Sequence, residues 1–265
     1  MTTSRQHHPA TARNAVRTPG PLVSIVTVCR NSERTIGKTI ESVLCQTYPR
    51  IEYLVIDGAS TDGTLEIVRR YEPRFKGRLR LVSEEDGGIY DAMNKGIVLA
   101  QGDVVGLINS DDWYEPNAVE LVVREYRKQR DSVYYGILRV LEDGHEVMLI
   151  SRSHRFLHRD VVPHPAYFVA RSVYERFGLF RLEYRFAADF ELMMRFISRK
   201  VPFVQIDSVL ANFNGGGATT VHELSSSEEY LRIRHAYGLM TRKAMLFRIL
   251  RNRISALLER VNRGM

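Results

Sequence analysis

A chain of 265 residues, 44% hydrophobic and 26% charged, has the composition of an ordinary folded protein of one large domain or two small ones. That excludes wholesale disorder, a collagen-like repeat and a multi-span membrane protein, and two cysteines exclude a disulfide scaffold. The formal charge of +7 sits at the ends: residues 1–20 carry +3, residues 239–265 carry +6, and the body between is left at −2. Charge therefore does not point to a nucleic-acid-binding core.

The first 20 residues are polar, lack the apolar stretch of a signal peptide and read as a disordered arm. Leu22–Val28 is a β-branched run, hence a buried strand. Asn31-Ser32-Glu33 is a polar turn able to cap the helix marked by Ile36, Ile40, Val43 and Leu44, which Tyr48-Pro49 stops. Cys29 and Cys45 sit among apolar neighbours and read as buried, reduced thiols. Ile51–Ile56 is a second strand, ending at Asp57-Gly58, and Thr61-Asp62-Gly63-Thr64 opens a second helix. Leu79–Val82 is a third strand, followed by a helix carrying Ile89, Met93 and Ile97. Val104–Ile108 is a fourth strand, and Asn117 caps a fourth helix to about Arg130. No window approaches the 18 or more apolar residues that span a bilayer, so the protein is expected on the cytosolic side.

Strand and helix alternate four times within residues 22–130, the pattern of a parallel sheet covered by helices. In such sheets ligands bind at the carboxyl ends of the strands. The polar clusters fall there: Arg30-Asn31 after the first strand, Asp57 after the second, Asn109-Ser110-Asp111-Asp112 after the fourth. The glycine-rich fingerprints of dinucleotide and P-loop binding are absent. Paired carboxylates point to another way of holding a diphosphate, through a divalent cation (Mn2+ or Mg2+) that takes one or two protein oxygens and fills its shell with phosphate and water.

The segments Val23–Asn31, Ile56–Thr64, Asp86-Gly87-Gly88-Ile89-Tyr90-Asp91-Ala92-Met93-Asn94-Lys95-Gly96, Gly102-Asp103, Asn109–Asp112, His164-Pro165 and Tyr184–Asp189 together resemble glycosyltransferase family 2, a family of nucleotide-sugar-dependent enzymes. Each motif alone is weak; their order and spacing are specific, and the resemblance covers about residues 21–217. The Asp86–Gly96 run is similar to the branch that builds bacterial exopolysaccharides, lipopolysaccharides and glycolipids. The resemblance implies an α/β fold of the GT-A type: a Rossmann-like, mostly parallel sheet with helices on both faces, here with a C-terminal helical extension. It implies a nucleotide-sugar-binding half over 21–130, an acceptor and catalytic half over 131–222 and a basic amphipathic helical tail over 223–265. It places Thr27 and Arg30, with Asn31 beside them, at the nucleotide base and ribose. Arg30 replaces the aromatic residue of many members and would stack through its planar guanidinium. Asp57 is implied to accept a hydrogen bond from the base, and Asn109 and Ser110 to line the donor site. Asp111 and Asp112 match the acidic pair, with Asp112 the better metal ligand, and Asp189 matches the catalytic base. A single base working opposite the leaving group implies inversion at the anomeric carbon.

Several features carry two readings. Asp189, between Ala187-Ala188 and Phe190, is shielded enough for a raised pKa, or it caps the helix over 190–197. Asp86 and Asp91 touch the donor, or form a turn and a cap. Lys95 reaches a phosphate, or is a solvated helix-face lysine. His164 lies near the acceptor, or is structural. Trp113 reads as packing. Gly215-Gly216-Gly217, with Thr219-Thr220 and His222, suggests a lid, and His222 is a remote candidate ligand. In the tail, Phe247, Leu250, Ile254, Leu257 and Val261 share one helical face opposite Arg248 and Arg251. Such a helix lies on an anionic membrane surface, which would suit a lipid-linked acceptor rather than a free saccharide, or it docks on the core or on a second subunit in a homodimer. Nucleotidyltransferase is a rival class, but its glycine- and arginine-rich phosphate loop is missing. A non-catalytic adaptor on a degenerate transferase fold would have lost the acids that stand here. No nucleic-acid motif accompanies the basic ends.

Overall fold

The computed structural model describes residues 20–156, 162–214 and 223–263. The proposed arm up to residue 19, the glycine run at 215–217 and His222 lie outside them.

The sheet is built outward from β1 (Val23–Cys29), every residue of which is buried. A strand covered on both faces needs a near-continuous apolar run, and Val-Ser-Ile-Val-Thr-Val-Cys supplies one. On one side β1 pairs in parallel with β2 (Ile51–Asp57), and β2 with β3 (Leu79–Ser83). On the other side it pairs in parallel with β4 (Val104–Asn109). The register puts Cys29 opposite Asp57, Asp57 opposite Ser83 and Val28 opposite Asn109, so four strands end on one rim. Helices α1 (Ile36–Leu44), α2 (Thr64–Phe75) and α3 (Ile89–Leu99) make the crossovers.

Beyond β4 the sheet changes character. After the two-residue β5 (Trp113–Tyr114) and α4 (Ala118–Lys128) come β6 (Val133–Glu142) and the hairpin strand β7 (His145–Ile150). Strand β8 (Tyr167–Ala170) runs antiparallel to both β4 and β6. Helices α5 (Arg171–Phe177) and α6 (Ala188–Ser198) follow, then the long β9 (Phe203–Asn214), parallel to β6. The end of β9 turns back to pair antiparallel with β5, Trp113 opposite Asn212. The strand order is β3-β2-β1-β4-β8-β6-β9-β5, and one apolar core runs through both halves. The chain closes with α7 (Glu223–Ala236) and α8 (Arg242–Arg263).

The elements expected from the sequence are present, with small differences. Asn117 holds the N-cap position of α4 but its side chain makes no capping bond. The helix expected to run to Pro49 ends at Leu44. Cys29 is buried, whereas Cys45 is exposed, on the solvent side at the end of α1. The tail is two helices: α7 bears Glu228 and Glu229, and the basic residues gather on α8.

Gly96 shows how tightly α3 lies on the sheet. A Cβ there would stand 2.2 Å from a γ-methyl of Val26, and neither backbone has room to retreat. Gly96→Ala is expected to lower the unfolding free energy by about 1–3 kcal/mol through overpacking, measured by urea denaturation.

Candidate active site

The rim is assembled from loops that bind one another. Asn31, at the end of β1, donates its N–H to Ser60 Oγ (2.7 Å) and accepts from Thr61 N–H (2.8 Å), tying the loop after β1 to the loop after β2. Ser110, after β4, donates to Ser32 Oγ (2.8 Å). Arg30 is exposed beside them. A Cβ on Gly58 would meet the Asp86 carboxylate at 2.4 Å and Arg30 Cδ at 3.5 Å, so Gly58 lets these two side chains converge. Asp86 accepts Gly88 N–H (2.9 Å) at the turn into α3.

Asp57 is fully buried. One oxygen accepts from Ser60 Oγ and Cys29 Sγ (3.6 Å), the other from Ser60 N–H (2.9 Å) and Ser83 Oγ (2.7 Å). A carboxylate has about four lone-pair sites, and all are taken by the loop itself. These bonds anchor the loop after β2 to β1 and β3. Thr27 is likewise buried in the core, its hydroxyl accepting from Tyr53 (3.0 Å), not facing the rim. Lys95 is held by Glu84 (3.0 Å), Asp91 (3.5 Å) and the Glu85 carbonyl (2.9 Å). It clamps the start of α3 instead of waiting for a phosphate.

Asp112 behaves differently. It is fully buried, and its Oδ1 accepts Asn214 N–H (3.2 Å) from the returning end of β9. Its Oδ2 is shut from solvent with no partner, and so is Asn109 Oδ1 one turn earlier. Burial, then the charge of Asp111, hold the Asp112 pKa well above the carboxylate range, and burial raises that of Asp111.

Asp189 sits in the first turn of α6. Its Oδ1 accepts Phe190 N–H (2.8 Å) and lies 3.2 Å from the hydroxyl of Tyr90, which is also 3.2 Å from the Phe186 carbonyl. Tyr90 opens α3 at the rim, so this contact brings Asp189 to the strand ends. Burial pushes the Asp189 carboxyl up to about 6, against the hydrogen bonds from Phe190 and Tyr90. The helix starts at Ala188, so Asp189 is inside it and is not its N-cap residue. The cap comes from elsewhere: Glu229 on α7 accepts the N–H groups of Arg185 (2.9 Å), Phe186 (2.8 Å) and Ala187 (2.9 Å). A carboxylate there also faces the positive end of the α6 dipole.

His164 has its Nε2 enclosed without a partner, and burial lowers its pKa to about 4, so it is neutral and structural. Trp113 is covered by Lys38, whose Nζ is 3.0 Å from the ring centroid. A separate cavity of about 450 Å³ opens at the opposite, amino-terminal end of the strands, lined by Arg50, Glu52, Arg78 and Gln101, and contains none of these site residues.

The model of the family described as Glycosyl transferase family 2 matches residues 24–201. The chain belongs to glycosyltransferase family 2. It is 33% identical over 216 residues to an uncharacterised glycosyltransferase of Mycobacterium tuberculosis, covering 79% of this chain and 81% of that one. It is 28% identical over 206 residues to a PGL/p-HBAD biosynthesis glycosyltransferase of Mycobacterium bovis, covering 76% and 80%. The fold is similar to that of S. aureus TarS 1–349 solved with UDP-GlcNAc (TM-score 0.67, 17% identity, 88% of this chain and 73% of that). It is also similar to the mannosyltransferase PcManGT of Pyrobaculum calidifontis solved with GDP-Man and Mn2+ (TM-score 0.65, 18% identity, 89% and 70%). Against TarS 1–349 solved with UDP the chain spans 65% of the solved length. The enzyme is thus a glycosyltransferase with the GT-A fold.

The donor set of this family 2 enzyme fits a hard divalent cation. Among the described residues no three His, Cys, Asp or Glu side chains converge. Asp112 Oδ2 and Asn109 Oδ1 are nonetheless buried oxygens without partners, a costly arrangement that a cation would relieve. Magnesium and manganese commonly take one or two carboxylates and complete their shell with phosphate and water.

Sequence reasoning passed over Tyr90 and Glu229. Tyr90 lies inside the Asp86–Gly96 run and was open to discovery there. Glu229 gives no local signal, since its partners are some 40 residues earlier in the chain.

Two outcomes follow for the segment that carries Asp189. Glu229→Ala strands three N–H groups and is expected to cost about 1–3 kcal/mol of stability and to slow turnover, read by thermal melting and initial rates. Asp189 binds its proton more tightly folded than unfolded, so its contribution to stability is present at low pH and is lost as pH rises through about 6. Asp189→Asn removes that loss: relative to wild type the variant should gain about 2–3 kcal/mol between pH 4 and pH 7.5, checked by denaturant titration at both values.

Proposed function

We propose that the enzyme transfers a sugar from a nucleoside-diphosphate sugar to a hydroxyl of a surface-polysaccharide or glycolipid precursor, with inversion at the anomeric carbon. One observation carries the reading: a single rim holds a buried carboxylate with an unpartnered oxygen, Asp112, and a second carboxyl, Asp189, lifted to about 6. The first is suited to a cation and the second to a proton. The fold neighbours, one solved with UDP-GlcNAc and the other with GDP-Man and Mn2+, support a nucleotide-sugar donor. The relative named for PGL/p-HBAD biosynthesis supports a cell-surface acceptor.

In this mechanism Arg30 and Asp86 border the donor beside Gly58, and the loop anchored by Asp57 and Asn31 keeps that border fixed. Asp112, with Asp111 and Asn109, would hold a divalent cation, which when bound supplies positive charge against the charge developing on the diphosphate. The acceptor oxygen attacks the anomeric carbon as the bond to the diphosphate oxygen breaks, and the electron pair leaves with the diphosphate. The hydroxyl proton passes to the Asp189 carboxylate. Tyr90 and Phe190 N–H hold that carboxylate in place, and its raised pKa makes it a stronger base than an exposed aspartate while leaving it ionised above about pH 6.

The deciding experiment is a thermal-shift screen of UDP-, GDP- and dTDP-sugars with and without Mn2+. One nucleotide should raise the melting temperature, and only with Mn2+. Asp112→Asn should abolish that rise, because an amide brings no negative charge to the cation. With the donor known, Asp189→Asn should retain the donor-dependent shift and lose about 100-fold or more in transfer rate, and wild-type kcat/KM should fall below about pH 6. Unimpaired transfer by Asp189→Asn overturns the base assignment.

A further inference from the structure

Helix α8 has two apolar strips, and α7 covers one. Met245 and Ile249 are buried with Leu231 of α7, and Met240 packs on them. On the same side Asn252 Nδ2 donates to Ser227 Oγ (2.9 Å) and Arg253 forks onto Glu228 (2.6 and 2.8 Å). The spacing 245, 249, 252 defines the face turned to the protein. At 3.6 residues per turn, Leu246, Phe247, Leu250, Ile254, Leu257 and Leu258 fall in a separate arc about 120° wide. Their exposures run from 48% at Ile254 to 68% at Phe247. Scattered exposed apolar residues are ordinary, but six in one stripe are not. Arg242 borders the stripe on one edge, with Arg253 beside it paired to Glu228, and Arg248 and Arg251 lie on the other; all four are exposed.

We propose that this stripe docks on an anionic lipid bilayer, with α8 lying in the plane of the interface. The cations on both edges identify the occupant: with the apolar arc sunk between acyl chains, both borders reach the level of anionic headgroups. A second copy of α8 would bring arginine borders against arginine borders, since residues 242–263 hold seven cations and one acid, Glu259. Residues 1–19 complement the stripe no better, being basic, with Val16 and Met1 their largest apolar side chains. No helix among the described residues is long and apolar enough to cross a membrane.

The test reads binding without turnover, so it stands or falls apart from the sugar-transfer reading. The full chain is sedimented with phosphatidylcholine vesicles, with and without phosphatidylglycerol, and its mass is measured in solution by light scattering. Binding is expected to require phosphatidylglycerol. Phe247→Glu, Leu250→Glu and Leu257→Glu together should weaken it by about tenfold or more with an unchanged melting temperature, since these side chains are exposed. Arg248→Ser with Arg251→Ser should weaken the phosphatidylglycerol dependence and leave the fold intact. Three results overturn the proposal: a wild-type chain that ignores these vesicles, a triple variant that binds as well as wild type, or a wild-type dimer that the triple variant converts to monomer, which would assign the stripe to a second copy.

Discussion

A carboxylate enclosed in protein must find partners, find a cation or take up a proton, and three aspartates of this chain meet that demand from different surroundings. Asp57 has found partners: Ser60, Ser83 and Cys29 fill its acceptor sites, and its charge is spent on shaping a loop. Asp112 has half of what it needs, one N–H from Asn214 and nothing on the other oxygen. Asp189 has Phe190 N–H and Tyr90, yet burial still outweighs them and lifts its pKa to about 6. Three residues of one type stand in three different environments because their hydrogen-bond partners and burial differ, and the proposed mechanism assigns them different work on that ground.

The two halves of the sheet divide this work. The parallel strands β1 to β4 place four loops on one rim, as the connectivity of such sheets requires. They do not supply all of it, because Asn214, the partner of Asp112, and Asp189 itself arise later in the chain. Strand β9 turns back to β5 and delivers Asn214 N–H to Asp112. Helix α6 brings Asp189 to Tyr90, and Glu229 holds the three residues that precede it. The antiparallel strand β8 makes this return journey short, since it lies between β4 and β6.

The strands and helices of the first half were legible because their period is local: a β-branched run buried on both faces, then an apolar stripe every three or four residues. The rim was legible for the same reason, since loops after parallel strands share an edge. Orientation was not. Thr27 sits in a strand whose two faces are both buried, and only the position of Tyr53 shows where its hydroxyl goes. Lys95 has the look of a free cation until Glu84 and Asp91 are placed beside it. Asp57 and Asp112 are equivalent as letters, and the serines around one and the unpartnered oxygen of the other are facts of tertiary structure. Glu229 lies furthest from reach, because a helix cap supplied from another helix leaves no mark in spacing.

The last helices join the site to the surface of the molecule. Ser227, Glu228 and Glu229 are consecutive on α7. The first two bind Asn252 and Arg253 of α8, and the third binds the backbone in front of Asp189. One turn of helix therefore connects the loop in front of Asp189 to the contacts that seat α8. A transferase whose acceptor is anchored in lipid has to hold its base at a fixed height above the bilayer, and a flexible tether cannot set that height. A packed helix can, and α8 is seated on α7 by Met245 and Ile249 against Leu231, by Asn252 on Ser227 and by Arg253 on Glu228. On the proposed reading α7 would be a spacer between an interface and a carboxylate, since Leu231 is buried against α8 while Glu229, on the same helix, holds the residues in front of Asp189.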